Sequence, residues 1–496
     1  MGLFDFLKRE EAPTKTLRKR TYQAARVGRL FGDFTQSGNS ADSELRFTLE
    51  VMRNRSRELV RDNEFARRYM NLLKTNVVGD HGFQLQIKAR NDDGSLDGAG
   101  NTIIENAWKR WGRLGSPTAD GRLSWYDCQR LVVETLARDG EVFIRKLTGP
   151  KYRDGFALQF LEADLIDDKK NEKTQNGNQI RMGVELDRSQ RPVAYHVLTS
   201  HPGDAYYYNL ESRKSVRIPA DEIIHVYMPN RTHQTRGEPF MVAAMSALKM
   251  LHAYREAEVI AARVGASKMG IITSPSGDDF VGEGYENEYQ PVIDVEPGSF
   301  QQLGPGYDMK MFDPNHPNTG YAEFESAMLR GISSGLNVSY ASISNDLSSV
   351  NYSSIRQGAL DERDGYRALH MFMIEHFVEP VFRAWLSSAM DFGDIPLPSG
   401  KYDKFSDNAH FRGRGWNWVD PLKEINAAVV GLQNGVVSMQ DVAANYGRDV
   451  EETFAQIARD KEMAQQFGLS MAFEPFGQKF PVDAIVEGGD DGDLQG

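Results

Sequence analysis

EVFIRKL (Glu141 to Leu147), ALQFLEADLI (Ala157 to Ile166), IRMGVELD (Ile180 to Asp187), VAYHVL (Val193 to Leu198) and EIIHVYM (Glu222 to Met228) are short β-prone runs. Turn residues separate them, with RSQRP at Arg188 to Pro192 the plainest example. Short strands divided by many turns predict one mostly antiparallel sheet, packed on the helices that precede it. The first body is therefore read as α+β.

Upstream, Leu45, Leu49, Met52, Leu59, Phe65, Tyr69, Leu72 and Leu73 recur near helical spacing, which predicts a helix over Ser40 to Asn76 stopped by Gly79 and Gly82. Phe83, Leu85 and Ile87 alternate with polar residues as in a half-buried strand, and NDDGS (Asn91 to Ser95) turns the chain. Helices follow at Asn101 to Trp111 and at Trp125 to Ala137, the second capped by Ser124. Downstream, Pro239 suits the first turn of an Ala-rich helix running to Ser267, whose small residues let helices approach closely. Gly265 to Tyr321 reads as a small α/β insertion with β-prone pieces GIIT, PVIDV and DMKMF. A shorter helix spans Tyr321 to Gly335, and Leu336 to Tyr352 is a Ser- and Asn-rich loop of functional or disordered type. Ser353 to Met390 is a long amphipathic helix kinked at Pro380. Tyr402, Phe405, Phe411, Trp416 and Trp418 form an aromatic cluster ahead of helices from Pro421 to Phe467.

The chain has 496 residues, 40% hydrophobic and 26% charged, with a net charge of −12. Its mean hydropathy of −0.51 describes a polar-surfaced, core-forming protein of about three domains. No uncharged apolar run reaches the roughly 20 residues of a membrane helix, and Lys249 interrupts the best candidate. The start MGLFDFLKREEAP lacks a signal-peptide core, and Phe6 stands where myristoylation needs Ser or Thr. The single cysteine, Cys128, excludes an internal disulfide and is read as packing. The acidic balance argues against a surface that grips nucleic acid everywhere. Charge is uneven, however: Lys8, Arg9, Lys15, Arg18, Lys19, Arg20, Arg26 and Arg29 make a basic arm, and Glu487, Asp490, Asp491 and Asp493 an acidic tail.

Chemical motifs are weak. Gly331 to Gly335 spells GxSxG around Ser333, but its flanks are helical rather than strand-turn-helix. His370, Glu375 and His376 miss the HExxH spacing, and no metal site is expected. Gly282–Glu283–Gly284 and Gly304–Pro305–Gly306 lack the strand and helix of a phosphate cradle, and there is no GxxxxGK[ST]. His225 and His233 read as ordinary structure. No catalytic set or cofactor is expected.

The order of longer runs carries more information. FARRYMNLLKTNVVGDHGFQLQ (Phe65 to Gln86), RDGEVFIR (Arg138 to Arg145), LQFLEADLID (Leu158 to Asp167), GVELDRSQRPVAYHVL (Gly183 to Leu198), IPADEIIHVYMPNRTHQTRGEPFM (Ile218 to Met241) and SYASISNDLSSVNYSSIRQG (Ser339 to Gly358) follow one another as in a known family. Over Ser40 to Phe467 the chain resembles the portal proteins of tailed bacteriophages, of the lambda type. The resemblance implies a non-enzymatic homo-oligomeric ring, typically of about twelve subunits, at one capsid vertex of the virion. Double-stranded DNA would pass through it, driven by a separate terminase whose large subunit docks there. Capsid, scaffold and head–tail connector proteins would be further partners, assembly would occur in the host cytoplasm, and no membrane is involved.

The implied regions are a basic arm (1–39), wing (40–239), stem helix (240–268), clip (269–320), second stem helix (321–335), tunnel loop (336–352), long wing helix (353–390), crown and C-terminal helices (391–470) and acidic tail (471–496). The tunnel loop offers Asn337, Ser339, Ser342, Ser344, Asn345, Ser348, Ser349 and Asn351 to DNA, polar groups without fixed positive charge. In the clip, Asp278, Asp279, Glu283, Glu286 and Glu288 suit a basic terminase surface. The alternatives are a serine hydrolase or capsid maturation protease using Ser333, and a scaffold or head-completion protein without a channel.

Overall fold

The computed structural model describes residues 38–204, 214–266, 270–273, 308–311, 320–348, 352–393, 395–416, 421–446 and 448–469. The basic arm apart from its last two residues, the acidic tail, both Gly-x-Gly stretches, PVIDV and Trp418 lie outside them.

The expected first helix is two. α1 (Ala41–Asp62) starts where the Ser40 hydroxyl accepts the Ser43 N–H, and α2 (Glu64–Leu73) starts one residue after it ends. Asn63, extended at φ −113°, divides them: its Oδ1 accepts the N–H groups of Phe65 and Ala66, both at 3.0 Å. A π-helical turn, Lys74–Val78, carries α2 to Gly79, whose φ of 70° ends it. α3 (Gly98–Trp111) and α4 (Trp125–Asp139) follow, α4 opening on a Ser124–Asp127 capping box.

Between and after these helices run β1 (Gln84–Ile87), β2 (Glu141–Thr148), β3 (Phe156–Leu161), β4 (Glu172–Lys173), β5 (Gln179–Arg181), β6 (Val184–Leu186), β7 (Pro192–Leu198), β8 (Ser215–Pro219) and β9 (Ile223–Tyr227). The single expected sheet is two antiparallel ones, ordered β3-β2-β9 and β4-β5-β6-β7-β8. β2 is buried on both faces, and its alternation shows how. Val142 and Ile144 join the main core, while Phe143 joins a second core with Tyr195, Val197 and Ile218 of the five-stranded sheet.

α4 ends on Gly140 at φ 88°, where the chain crosses the Gly237–Glu238 backbone so closely that no Cβ fits at Gly140 or Gly237. Here the expected helix start at Pro239 is corrected. Phe240 N–H donates to the Ala137 carbonyl at 3.0 Å, residues 240–244 form turns, and α5 (Met245–Ala266) begins at Met245. After α5, β10 (Gly270–Thr273) pairs antiparallel with β11 (Asp308–Met311).

α6 (Tyr321–Leu336) and the short α7 (Tyr340–Ser344) lead to the long helix that the sequence predicts as one, helical without a break over 352–392. It is α8 (Tyr352–Met373), a π-helical turn Ile374–Val378, and α9 (Glu379–Phe392). The irregularity precedes Pro380, which sits in the first turn of α9 where its missing N–H costs least. This helix closes the main core. Trp108, Trp111, Trp125, Phe377, Phe382 and Trp385 pack at ring separations near 5–6 Å. Two of the buried indoles find partners: Trp111 donates to the Phe156 carbonyl and Trp385 to Asp154.

After α10 (Tyr402–Ser406), β12 (Ala409–Arg412) returns to pair with β1, and Phe405 is buried against Gly100 of α3. α11 (Pro421–Gln433), α12 (Met439–Asn445) and α13 (Val450–Gln466) complete the described chain. Fully buried Asp449 ties α13 to that ribbon by accepting from Lys88 and Arg412.

Candidate functional site

The sequence predicts a Ser- and Asn-rich loop over Leu336 to Tyr352. The structure folds it. Asn337, at φ 55°, ends α6, and the Ser339 hydroxyl caps α7 by accepting the Ser342 N–H at 3.2 Å. Ser344 Oγ donates to the Tyr340 carbonyl at 2.8 Å, and Asn345, at φ 56°, ends α7 in the left-handed conformation that asparagine tolerates. Asp346 then accepts the Ser348 N–H and hydroxyl at 2.9 and 2.6 Å in a tight turn.

These short contacts explain why so many Ser and Asn residues lie here: they cap helices and shape turns. Ser339, Ser342 and Ser344 are half-buried in that role, whereas Asn337, Asn345 and Ser348 are exposed. Ser349 and Asn351 lie outside the described residues.

Three groups that the sequence reading missed hold the segment in place. Glu362 of α8 accepts the Ser339 N–H at 2.6 Å, Arg68 of α2 donates to the Ser342 carbonyl at 2.9 Å, and Arg330 lies 5.4 Å from the Tyr340 ring centroid. Ile343 is the apolar anchor, 2% exposed. Asp346 adds a carboxylate to this stretch, and its hydrogen bonds to Ser348 hold it below the ordinary value. The signal available in sequence was the Ser339-x-x-Ser342 cap and the two asparagines, each at a helix end.

Asp278, Asp279, Glu283, Glu286 and Glu288, the acidic residues expected to meet a terminase, lie outside the described residues. Ser333 lies inside α6 and is 3% exposed, so the GxSxG elbow geometry is absent there. His370 is buried, with Nε2 3.2 Å from the Asn76 carbonyl and its ring stacked on Trp416. His376 stacks instead on Phe372 of its own helix. Cys128 is fully buried in α4, where burial pushes its thiol far above the ordinary value.

His225 proves to belong to a buried charge network that the sequence did not reveal. Glu141, at the start of β2, accepts from Arg236 at 2.6 and 2.8 Å, Arg53 of α1 at 3.1 Å and the Gly237 N–H at 3.2 Å, and lies 3.1 Å from His225 Nε2. Burial alone would raise this carboxyl, yet the Arg236 charge, the His225 contact and Arg53 hold it far below 4.5. Arg53 and Arg57 extend the network to Asp164, and Arg57 and Arg138 to Asp139.

Among the described residues, Glu162, Asp164 and His201 bring three possible metal ligands within 4.8 Å of one another. Two of the three are already engaged within the protein. His201 Nδ1 accepts the Gly203 N–H at 3.0 Å, which leaves Nε2 as the protonated nitrogen facing Glu162 at 3.0 Å, and Asp164 is held by Arg53 and Arg57.

The chain is 35% identical over 484 residues to a probable portal protein of Halomonas phage phiHAP-1, covering 96% of this chain and 91% of that one. It is 25% identical over 463 residues to portal protein B of Escherichia phage lambda, with 84% of each chain covered. It also resembles a chain in the neck of the native gene transfer agent particle computed with C12 symmetry, at 14% identity and a TM-score of 0.40 over 79% of this chain and 93% of that one. The model of the family described as phage portal protein, lambda family, matches residues 27–370, and the chain belongs to that family.

Proposed function

We propose that this portal protein works as a homo-oligomeric ring that conducts double-stranded DNA through one vertex of a phage capsid, without chemistry of its own. The observation that carries the ring is the surface of α5. One side packs on α1 and α6, while Met250, Val259 and Ile260 stay 69%, 59% and 53% exposed. Large side chains left in water on a long helix are covered when copies of the chain pack head to tail and close by rotation.

In this reading residues 240–268 and 321–335 form the stem, and 40–239 with 353–390 the wing. Residues 391–470 form the crown, and 336–352 the tunnel segment that faces DNA. Asn337, Asn345 and Ser348 present polar groups there, and Asp346 adds negative charge. Such a surface positions a duplex without holding its phosphates through released counterions, so the DNA slides. The clip, 269–320, docks the terminase large subunit through Asp278, Asp279, Glu283, Glu286 and Glu288, and later the head–tail connector proteins. Capsid and scaffold proteins recruit the ring in the host cytoplasm, and it stays in the virion.

Native mass spectrometry of the purified full chain, with negative-stain images, tests the ring. Closed rings with a central hole support it, and monomers across a wide range of salt contradict it. Charge reversal at Asp278 and Asp279 tests the clip assignment by slowing terminase association while rings persist.

A further inference from the structure

α11, α12 and α13 are helices without a core of their own. α11 and α12, 13 and 7 residues long, are too short to persist in water unless an apolar face is packed. Among the described residues from 421 to 469, however, only Ala464 and Asp449 are buried, and Ala464 joins neither the main core nor the second. Ion pairs tie the three helices to the rest of the chain: Asp449 with Lys88 and Arg412, and Glu424 with Arg356. Large apolar side chains stay in water, and three of them gather at the end of α13. Met463 and Phe467, four residues apart and so on one face of the helix, are 56% and 76% exposed, and Leu469 is 65% exposed.

α13 ends in a sharp turn. With Gly468 at φ 69°, the Leu469 N–H donates to the Ala464 carbonyl at 2.9 Å and the Gly468 N–H to the Gln465 carbonyl at 3.0 Å. This pair of bonds takes the backbone off the helix axis at its last turn. The chain that follows, SMAFEPFGQKFPVDAIV (Ser470 to Val486), lies outside the described residues and carries Met471, Phe473, Phe476, Phe480, Ile485 and Val486. An uncovered apolar face and an apolar segment thus follow one another in the chain. We propose that residues 470–486 dock on the face made by Met463, Phe467 and Leu469 of the same chain and supply the core that α11–α13 lack. Attachment at Leu469 makes the contact intramolecular, with an effective concentration of about a millimolar that favours it over a separate partner. Glu474, Lys479 and Asp483 are the only charged residues of the segment, so burial of apolar surface drives the docking. The acidic end, Glu487 to Asp493, begins where the docked segment stops.

Amide hydrogen exchange of the full chain, read by mass spectrometry, tests the contact from both sides. In the parent, residues 450–466 and 470–486 both exchange slowly. Phe473→Asp with Phe476→Asp, which leaves α13 itself unaltered, speeds exchange across 450–466 roughly tenfold, and Met463→Asp with Phe467→Asp frees 470–486 to a similar degree. Asp490→Asn with Asp491→Asn, beyond the docked segment, leaves both slow. Exchange of 470–486 in the parent at the rate of an unprotected peptide overturns the assignment, and so does protection of 450–466 that Phe473→Asp with Phe476→Asp leaves unchanged. Protection that disappears on dilution, as native mass spectrometry records copies separating, gives the face to a second copy of the chain and overturns it as well.

Discussion

Glu141→Gln is the most informative single change in the wing. The glutamine keeps the volume and one acceptor but removes the negative charge that faces Arg236 and Arg53, which are 0% and 1% exposed. Breaking a buried pair by removing one partner costs about 3–5 kcal/mol, since the remaining cations stay desolvated and under-compensated. At the roughly 2–4 °C per kcal/mol of a domain this size, the apparent unfolding midpoint falls by about 10 °C. Surface pairs give the contrast: Arg367→Ala, which removes the partner of Asp364 with both side chains more than half exposed, costs at most about 1 kcal/mol. Circular dichroism melts of the two variants and the parent at neutral pH measure the difference. A Glu141→Gln midpoint within about 1 °C of the parent would refute the claim that this network fastens α1 and the 231–238 segment to β2.

The same network contributes to the acid response, beside His196 and His370, which burial also holds below the ordinary value. His225 is held below 6.5 by burial, against its hydrogen bond to Glu141, so the unfolded chain takes up that proton first and stability falls as pH drops below about 6.5. Asp139 and Asp164 are raised by burial but lowered more by their arginine partners, so their contribution is present above about pH 4 and lost below it. Asp168, raised by burial, acts in the opposite sense. His225→Gln therefore flattens the melting profile between pH 6.5 and 5, and an unchanged profile there contradicts the assignment. Val259→Asp on α5 leaves the monomer's circular dichroism intact but lowers ring yield in native mass spectrometry; parental yield would remove α5 from the subunit interface. Ser339→Ala costs about 1 kcal/mol of cap energy and speeds amide exchange around Ser342 and Ile343, whereas unchanged exchange would show that the cap does not hold α7.

Most elements were legible in the chain because their periods differ. Phe143 against Val142 and Ile144 states the two-sided burial of β2, and Ser124 with Asp127 marks the start of α4. Sheet membership was not legible, since strands of two packed sheets alternate in the same way as strands of one. The break at Asn63 was hidden because apolar spacing runs through it, and only the side chain's bonds to Phe65 and Ala66 reveal a cap. The fold of the polar segment after α6 was not legible for a related reason: Ser and Asn suit an irregular loop and a helix end alike, and only the bonds around Ser339, Ser342 and Ser344 decide for the second. Arg53 and Arg236 stand 88 and 95 residues from Glu141, so no local pattern could announce the network they share.

The account turns on where residues 336–352 sit in the assembly. Electron cryo-microscopy of rings of the full chain locates them directly. The account predicts identical subunits around a central channel, with Asn337, Asn345 and Ser348 at its constriction and α5 buried between neighbours. A ring with that segment on its outer rim, or a particle without a channel, would contradict it.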